Sequence, residues 1–136
     1  MTIGLINLKL NFFNLPRILH ELMHAAGFWH EQSRPDRDEH VTINLENIHS
    51  EDAKHSFRKI QLSRVNMVGQ YDMCSIMHYG LWDYGRNGKK TIQPKHKRFE
   101  KYCTESEIGR RQMFTSEDIG KINALYGCDT KRASIV

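Results

Sequence analysis

At 136 residues, with 39% hydrophobic and 26% charged side chains, the chain has the length of one small domain or of a piece of a larger one, and a composition able to collapse around a core. No apolar run reaches the roughly 18 residues that a membrane-spanning helix needs. The excess of Lys and Arg over Asp and Glu, 20 against 16, is too small and too dispersed to argue for nucleic acid, and no nucleic-acid module is recognisable. Met1–Leu15 is apolar with a single Lys, but it lacks a basic n-region and a small-residue cleavage site, so it reads poorly as a signal peptide. Pro16 suits the first turn of a helix. Leu19, Leu22, Met23 and Ala26 then recur at three- and four-residue steps, which predicts a helix over residues 17–26. Gly27, free to turn left-handed, stops it.

Residues 31–40 are almost wholly polar around Pro35 and read as a loop, and Val41–Leu45 alternates like a short strand. Residues 46–62 are predicted to form a surface helix that buries Ile48, Phe57 and Ile60. From Gly69 to Pro94, glycines and aromatics suggest turns and extended stretches, and Lys95–Arg98 reads as a solvated charge cluster. Thr115 and Asp118 match a capping box in its Thr-x-x-Asp form. Ile119, Ile122, Leu125 and Tyr126 follow at helical spacing, and Gly127 ends the run. Residues 129–136 form a short polar tail.

Three of the eight histidines crowd into one stretch. His20-Glu21-Leu22-Met23-His24 stacks two imidazoles on one face of a helix, within reach of a single metal ion, with Glu21 beside the first. His30 follows the Gly27 turn, and a reversal there can return it to the same point. Together the residues read His-Glu-x-x-His-x-x-Gly-x-x-His, a long zinc motif. Chance would produce these five fixed positions in a chain of this composition with a probability of only roughly 10⁻⁴. Three neutral histidines leave a coordination position open for water, as catalytic zinc requires, whereas a structural site would close with a fourth ligand. The pattern therefore points to peptide-bond hydrolysis by a zinc-bound water, with Glu21 as general base and no covalent intermediate. Cys74, Cys103 and Cys128 cannot all pair within one chain, which leaves a free thiol, an intermolecular bridge or a missing partner.

His20 to Asp38 resembles the signature of the astacin family of zinc endopeptidases, within the metzincins. Ser75-Ile76-Met77-His78-Tyr79 resembles that family's Met-turn. Ile108-Gly109 with Arg111, then Asp118 to Cys128, resembles its C-terminal signature. The resemblance runs from about Ile18 to Cys128. It implies an α+β, metzincin-like fold, of which the chain holds the C-terminal half: the zinc-binding helix, the Met-turn and the C-terminal helix. The implied organisation is a non-family segment over 1–16, a peptidase domain truncated at its N-terminus over 17–128, and a tail over 129–136. By resemblance His20, His24 and His30 bind one Zn²⁺ per chain, and Glu21 is the base and proton shuttle. Tyr79 is an extra ligand that swings away to bond the oxyanion, and Met77 is an apolar floor beneath the metal. Glu31 matches a glutamate that pairs, through water, with the N-terminal ammonium freed on maturation. His40, His49, His55 and His96 match no role and are expected to be solvated.

Departures from the family matter as much. Only nineteen residues precede His20, where the family carries a twisted sheet that walls the cleft and an edge strand that pairs with extended substrate. The same missing half would hold the partner of Cys128, which is expected to be orphaned. Cys74 and Cys103 lie outside the common pattern and could bridge to each other. Arg110 stands where the family commonly has Gln. The resemblance implies a secreted enzyme acting on extended polypeptide, with no nucleic-acid or membrane partner and an undetermined oligomeric state. A catalytically incompetent zinc-binding fragment, acting as a binding module, is the alternative expectation. A mistranslated flank over Met1–Pro16 is a third.

Overall fold

A left-handed glycine decides how the chain leaves its first helix. In the computed structural model α1 (Leu15–Ala25) ends just before Gly27, whose φ is +87°. The Gly27 N–H donates to His24 O at 2.9 Å and the Phe28 N–H to Met23 O at 3.0 Å, the bond pair that turns a chain back at a helix end. The structure describes residues 15–128; the segment 1–14 and the tail 129–136, with the signal-peptide reading of the first, lie outside the described residues.

Downstream, β1 (Val41–Ile43) pairs antiparallel with β2 (Ile92–Pro94), Ile43 opposite Ile92, and the short α2 (Glu51–Lys54) lies between them in sequence. The last helix, α3 (Ser116–Tyr126), follows a long stretch of turns. Val41, Ile48, Phe57, Leu81, Ile92 and Phe99 form the larger core. A second cluster of Met23, Ile76 and Met77 joins α1 to residues 75–77, with Phe28, Phe114 and Ile122 packed against it. A disulfide between Cys74 and Cys103 fastens the larger core, and the Cys128 thiol is free and exposed.

The helix expected over residues 46–62 does not form as one element. Ser50 caps α2 by accepting from the Ala53 N–H at 3.2 Å, and a 3₁₀ turn at His55–Phe57 closes it. Two long-range bonds stop continuation. The Arg37 guanidinium takes the Phe57 carbonyl at 2.6 Å, and the Ile60 N–H donates to Ser33 O at 2.8 Å. Both atoms are thereby withdrawn from the i to i−4 ladder that a longer helix would need. Ile48 and Phe57 are buried as expected, whereas Ile60 is half-buried. His49, His55 and His96 are exposed, but His40 is not freely solvated: it is half-buried and stacked on Tyr71, ring centroids 4.5 Å apart.

The capping box of α3 forms as read, with Asp118 N–H to Thr115 Oγ1 at 2.9 Å and Thr115 N–H to Asp118 Oδ2 at 3.0 Å. Its buried face, however, is polar. Asp118 and Lys121 are buried, while Ile119 and Tyr126 are exposed. Lys121 donates to Glu31 Oε1 at 2.6 Å, and the same oxygen accepts the Asp72 N–H at 2.8 Å. Burial pushes the Glu31 carboxyl above its ordinary range, and Lys121 and Arg34 pull against that shift. His78, also buried, donates from Nδ1 to Tyr79 O at 2.6 Å and accepts the Tyr71 hydroxyl on Nε2 at 2.8 Å. Burial lowers its pKa to about 4.

Two outcomes follow from these buried groups. Lys121→Met strands a carboxylate and should remove roughly 3–5 kcal/mol of stability near pH 7. Because Glu31 can escape by taking a proton, the loss should shrink in urea titrations at pH 5. Neutral His78 works in the opposite direction, in parent and variant alike. Its folded pKa lies below the unfolded value of 6.5, so its contribution is whole above pH 6.5 and declines as pH falls toward about 4. Between those values the metal-free chain should lose on the order of 3 kcal/mol through this group. An NMR titration should find the His78 ring still neutral at pH 5; a midpoint near 6.5 would contradict the burial argument.

Candidate metal centre

His20 and His24 project from one face of α1, four residues apart, and the turn at Gly27 returns His30 to them. The nearest ring nitrogens of His20 and His30 are 3.2 Å apart and those of His24 and His30 are 3.3 Å apart. Among the described residues this is the one group of three or more His, Cys, Asp or Glu side chains close enough to share a metal ion. Each α1 histidine has its other nitrogen occupied. His20 Nδ1 donates to Ile76 O at 2.9 Å, and His24 Nδ1 donates to Phe28 O at 2.8 Å. With the Nδ1 proton so placed, the Nε2 lone pairs are turned inward, as metal-binding histidines require. Burial first, then the neighbouring His24 and His20, lowers the His30 pKa to about 4, so its ring is neutral at physiological pH.

This donor set fits zinc. Ligands about 2.0–2.1 Å from a tetrahedral ion lie roughly 3.3 Å from one another, close to the separations found here. Three neutral nitrogens aimed at one point also repel unless a cation lies between them. Three ligands leave the further position of an open site.

The carbonyl that orients His20 is itself anchored. Ile76 N–H donates to Asp118 Oδ2 at 3.1 Å, Ser75 Oγ–H to Asp118 Oδ1 at 2.5 Å, and Met77 N–H to Ser75 Oγ at 3.0 Å. On the other side of the same turn, Met77 O accepts the Glu31 N–H at 2.9 Å, adjacent to His30. Met77 is buried against Met23 and Ile76, which suits an apolar floor. Glu21 is exposed on α1 next to His20. The Tyr79 ring lies 4.7 Å from that of His30. Burial first, then the Tyr84 hydroxyl, pushes the Tyr79 phenol up to about 12, so it keeps its proton as a donor. Gly109, at φ +75°, permits a close approach behind it, for a Cβ there would meet Gly80 N at 2.1 Å.

The structure thus brings together His20, His24, His30 and Tyr79, with Glu21 on the same helix. Glu31 lies behind the third histidine, held by Lys121. Asp118, Lys121, His78 and Tyr84 escape a reading of the sequence. Asp118 reads there only as a helix cap, and Lys121 as one more solvated lysine. A concavity of ≈ 420 Å³ borders Glu31, Arg34 and Lys121, and another of ≈ 530 Å³ borders His40, Tyr71 and Arg111; neither is lined by the three histidines.

Residues 5–127 match the family model described as Astacin, a peptidase family. The chain is 46% identical over 118 residues to zinc metalloproteinase nas-13 of Caenorhabditis elegans, a match covering 86% of this chain and 24% of that protein. It is 41% identical over 113 residues to the protein SpAN of Strongylocentrotus purpuratus, covering 82% of this chain and 17% of that one. The chain therefore spans about a quarter or less of these relatives' length. The structure resembles that of high choriolytic enzyme 1, a hatching enzyme zinc-protease of Oryzias latipes, with a TM-score of 0.71 and 39% identity, covering 84% of this chain and 53% of that one. The likeness confirms the α+β, metzincin-like fold expected from the motifs, and the family match runs from before the histidine helix to the end of α3: this chain belongs to the astacin family.

Proposed function

We propose that this chain carries the metal-binding and catalytic residues of a zinc-dependent endopeptidase that hydrolyses extended polypeptides. The observation that carries the reading is the convergence of the His20, His24 and His30 nitrogens, the first two with Nδ1 tied to Ile76 and Phe28. These three residues would hold one zinc ion, which when bound supplies a Lewis acid for the scissile carbonyl and lowers the pKa of water toward about 7.

The chain's own residues would do the rest. Glu21 takes a proton from the attacking water as the O–C bond forms. It returns that proton to the nitrogen as the C–N bond breaks, so that acid and amine leave with no covalent intermediate. Tyr79, kept protonated, donates its O–H to the oxygen that gains negative charge. Met77 supplies an apolar wall and touches no reacting atom. The Cys74–Cys103 disulfide supports an extracellular setting, since such bonds persist in oxidising compartments. Among the described residues no helix is long and apolar enough to cross a membrane.

An inert zinc-binding fragment draws support from one observation: α1 presents Ile18 and Leu22 to solvent, 37% and 56% exposed, beside an uncovered Glu21. Hydrolysis of a quenched peptide library separates the two readings. Glu21→Gln should lower turnover by about 10²–10⁴ while bound zinc, measured by competition with a chelator, stays at the parental level. Turnover that survives the substitution would remove Glu21 from the mechanism, and loss of zinc with it would make Glu21 a ligand. Tyr79→Phe should lower kcat by about 10²–10³ with a far smaller change in zinc affinity; parental kcat would end the oxyanion role.

A further inference from the structure

Gln32 is fully buried, two residues after His30. The Tyr79 N–H donates to its Oε1 at 3.1 Å, across forty-seven positions of the sequence. A backbone N–H pairs only with an acceptor, so the oxygen of the carboxamide is the atom that faces Tyr79. The other end, Nε2, is buried and has no hydrogen-bond partner among the described residues. Methionine would fill the same space without burying an amide nitrogen. What glutamine adds over an apolar side chain of its shape is an acceptor for this one N–H.

The bond joins two arms of the candidate metal centre. Gln32 belongs to the 3₁₀ turn Glu31–Ser33 that follows His30. That turn is laced to residues 77–79 twice, by the Glu31 N–H on Met77 O at 2.9 Å and by the Tyr79 N–H on Gln32 Oε1. The Ser33 N–H closes the turn on His30 O at 3.0 Å, and Arg37 Nη1 holds the Gln32 carbonyl at 3.0 Å, so the carboxamide extends from a fixed backbone. Tyr79 is gripped on its other side as well. Its carbonyl accepts from His78 Nδ1 at 2.6 Å, and the Gly80 N–H donates to Asp83 Oδ2 at 2.7 Å. Those two grips come from within four residues of Tyr79. The third, from Gln32, comes from the segment that carries His30, whose ring centroid lies 4.7 Å from that of Tyr79.

We infer that Gln32 is a positioning residue that ties Tyr79 to His30, its buried oxygen fixing the Tyr79 backbone so that the phenol keeps one place against the third histidine. The inference rests on the role proposed above for that phenol. Gln32 bonds to backbone and acts through Tyr79. Without its oxygen the Tyr79 N–H would lose its acceptor, at the cost of a stranded donor. Turning the peptide to find another would swing the Tyr79 ring with it, and a small displacement of a reacting group costs rate.

A double-mutant cycle on the zinc-loaded 136-residue chain tests this, with Gln32→Met, Tyr79→Phe and the pair. Gln32→Met keeps the volume and removes the acceptor, so kcat should fall about threefold to tenfold with KM and zinc affinity unchanged. In the Tyr79→Phe background it should cost nothing further. By NMR, the nuclear Overhauser contact between the Tyr79 and His30 rings should be present in the parent and weakened in Gln32→Met. If circular dichroism finds the methionine chain unfolded, Gln32→Asn, one methylene shorter, takes its place with the same expectations. Parental kcat in the Gln32 variant overturns the inference. So does a loss that persists in the Tyr79→Phe background, which would make Gln32 a support of the fold at large, or a change confined to KM. If Tyr79→Phe alone keeps the parental kcat, the proposed role of Tyr79 fails and the inference with it. A Tyr79 effect without a Gln32 effect overturns the tie alone. In a chain without turnover the ring contact decides: weakening in the Gln32 variant supports the tie, and persistence overturns it.

Discussion

The buried carboxylate of Asp118 links the last helix to the first. It is fully shielded from solvent, and its hydrogen bonds come from no Lys or Arg. Its oxygens take the Ser75 hydroxyl, the Ile76 N–H and the Thr115 N–H. A buried carboxylate without such donors would be prohibitively costly. Three donors and a place in the first turn of α3, at the positive end of the helix dipole, offset that cost. Ile76 then offers its carbonyl to His20 with its own N–H already fixed. A shift of α3 would therefore reach the first histidine through two hydrogen bonds and the backbone of one residue.

One turn further along α3, Lys121 does for His30 what Asp118 does for His20. It holds the Glu31 carboxylate, and the Glu31 N–H holds Met77 O. The turn at residues 75–77 thus lies between two clamps from a single helix face, one ending at each arm of the histidine cluster. The arrangement explains why an amphipathic-looking helix buries Asp118 and Lys121 and exposes Ile119. Apolar contact fills space without direction. The two charged side chains fix register, because each must meet a specific partner or lie buried unpaired.

How far the sequence reaches follows from which forces are local. The spacing of His20 and His24, the stop at Gly27 and the Thr115–Asp118 box depend on a few consecutive residues, and all three are formed as their patterns imply. The histidine cluster was legible because a helix face and a left-handed glycine settle most of its geometry. The expected helix over 46–62 fails because Arg37 and Ser33, from an earlier segment, claim Phe57 O and the Ile60 N–H. His40 looked like any loop histidine, since its stacking on Tyr71 joins positions thirty-one residues apart. Lys121 gave no signal either; a lysine in an exposed-looking helix position differs from a buried one only through a partner ninety residues away.

The supports of the site are also unequal. The His20 and His24 rings are braced from below by Ile76 and Phe28, and the backbone beside His30 is held through Glu31. Glu21 has no comparable frame: it is exposed, and its helix neighbours Ile18 and Leu22 face solvent. A ligand set held by buried hydrogen bonds keeps its shape without substrate. In the role proposed for it, a side chain on an open helix face keeps many rotamers, and each productive encounter must select one of them. Metal binding and hydrolysis thus make different demands on this chain. On the proposed reading, metal binding draws on the α3 clamps, while hydrolysis needs, in addition, something that packs over α1 and narrows the choices of Glu21.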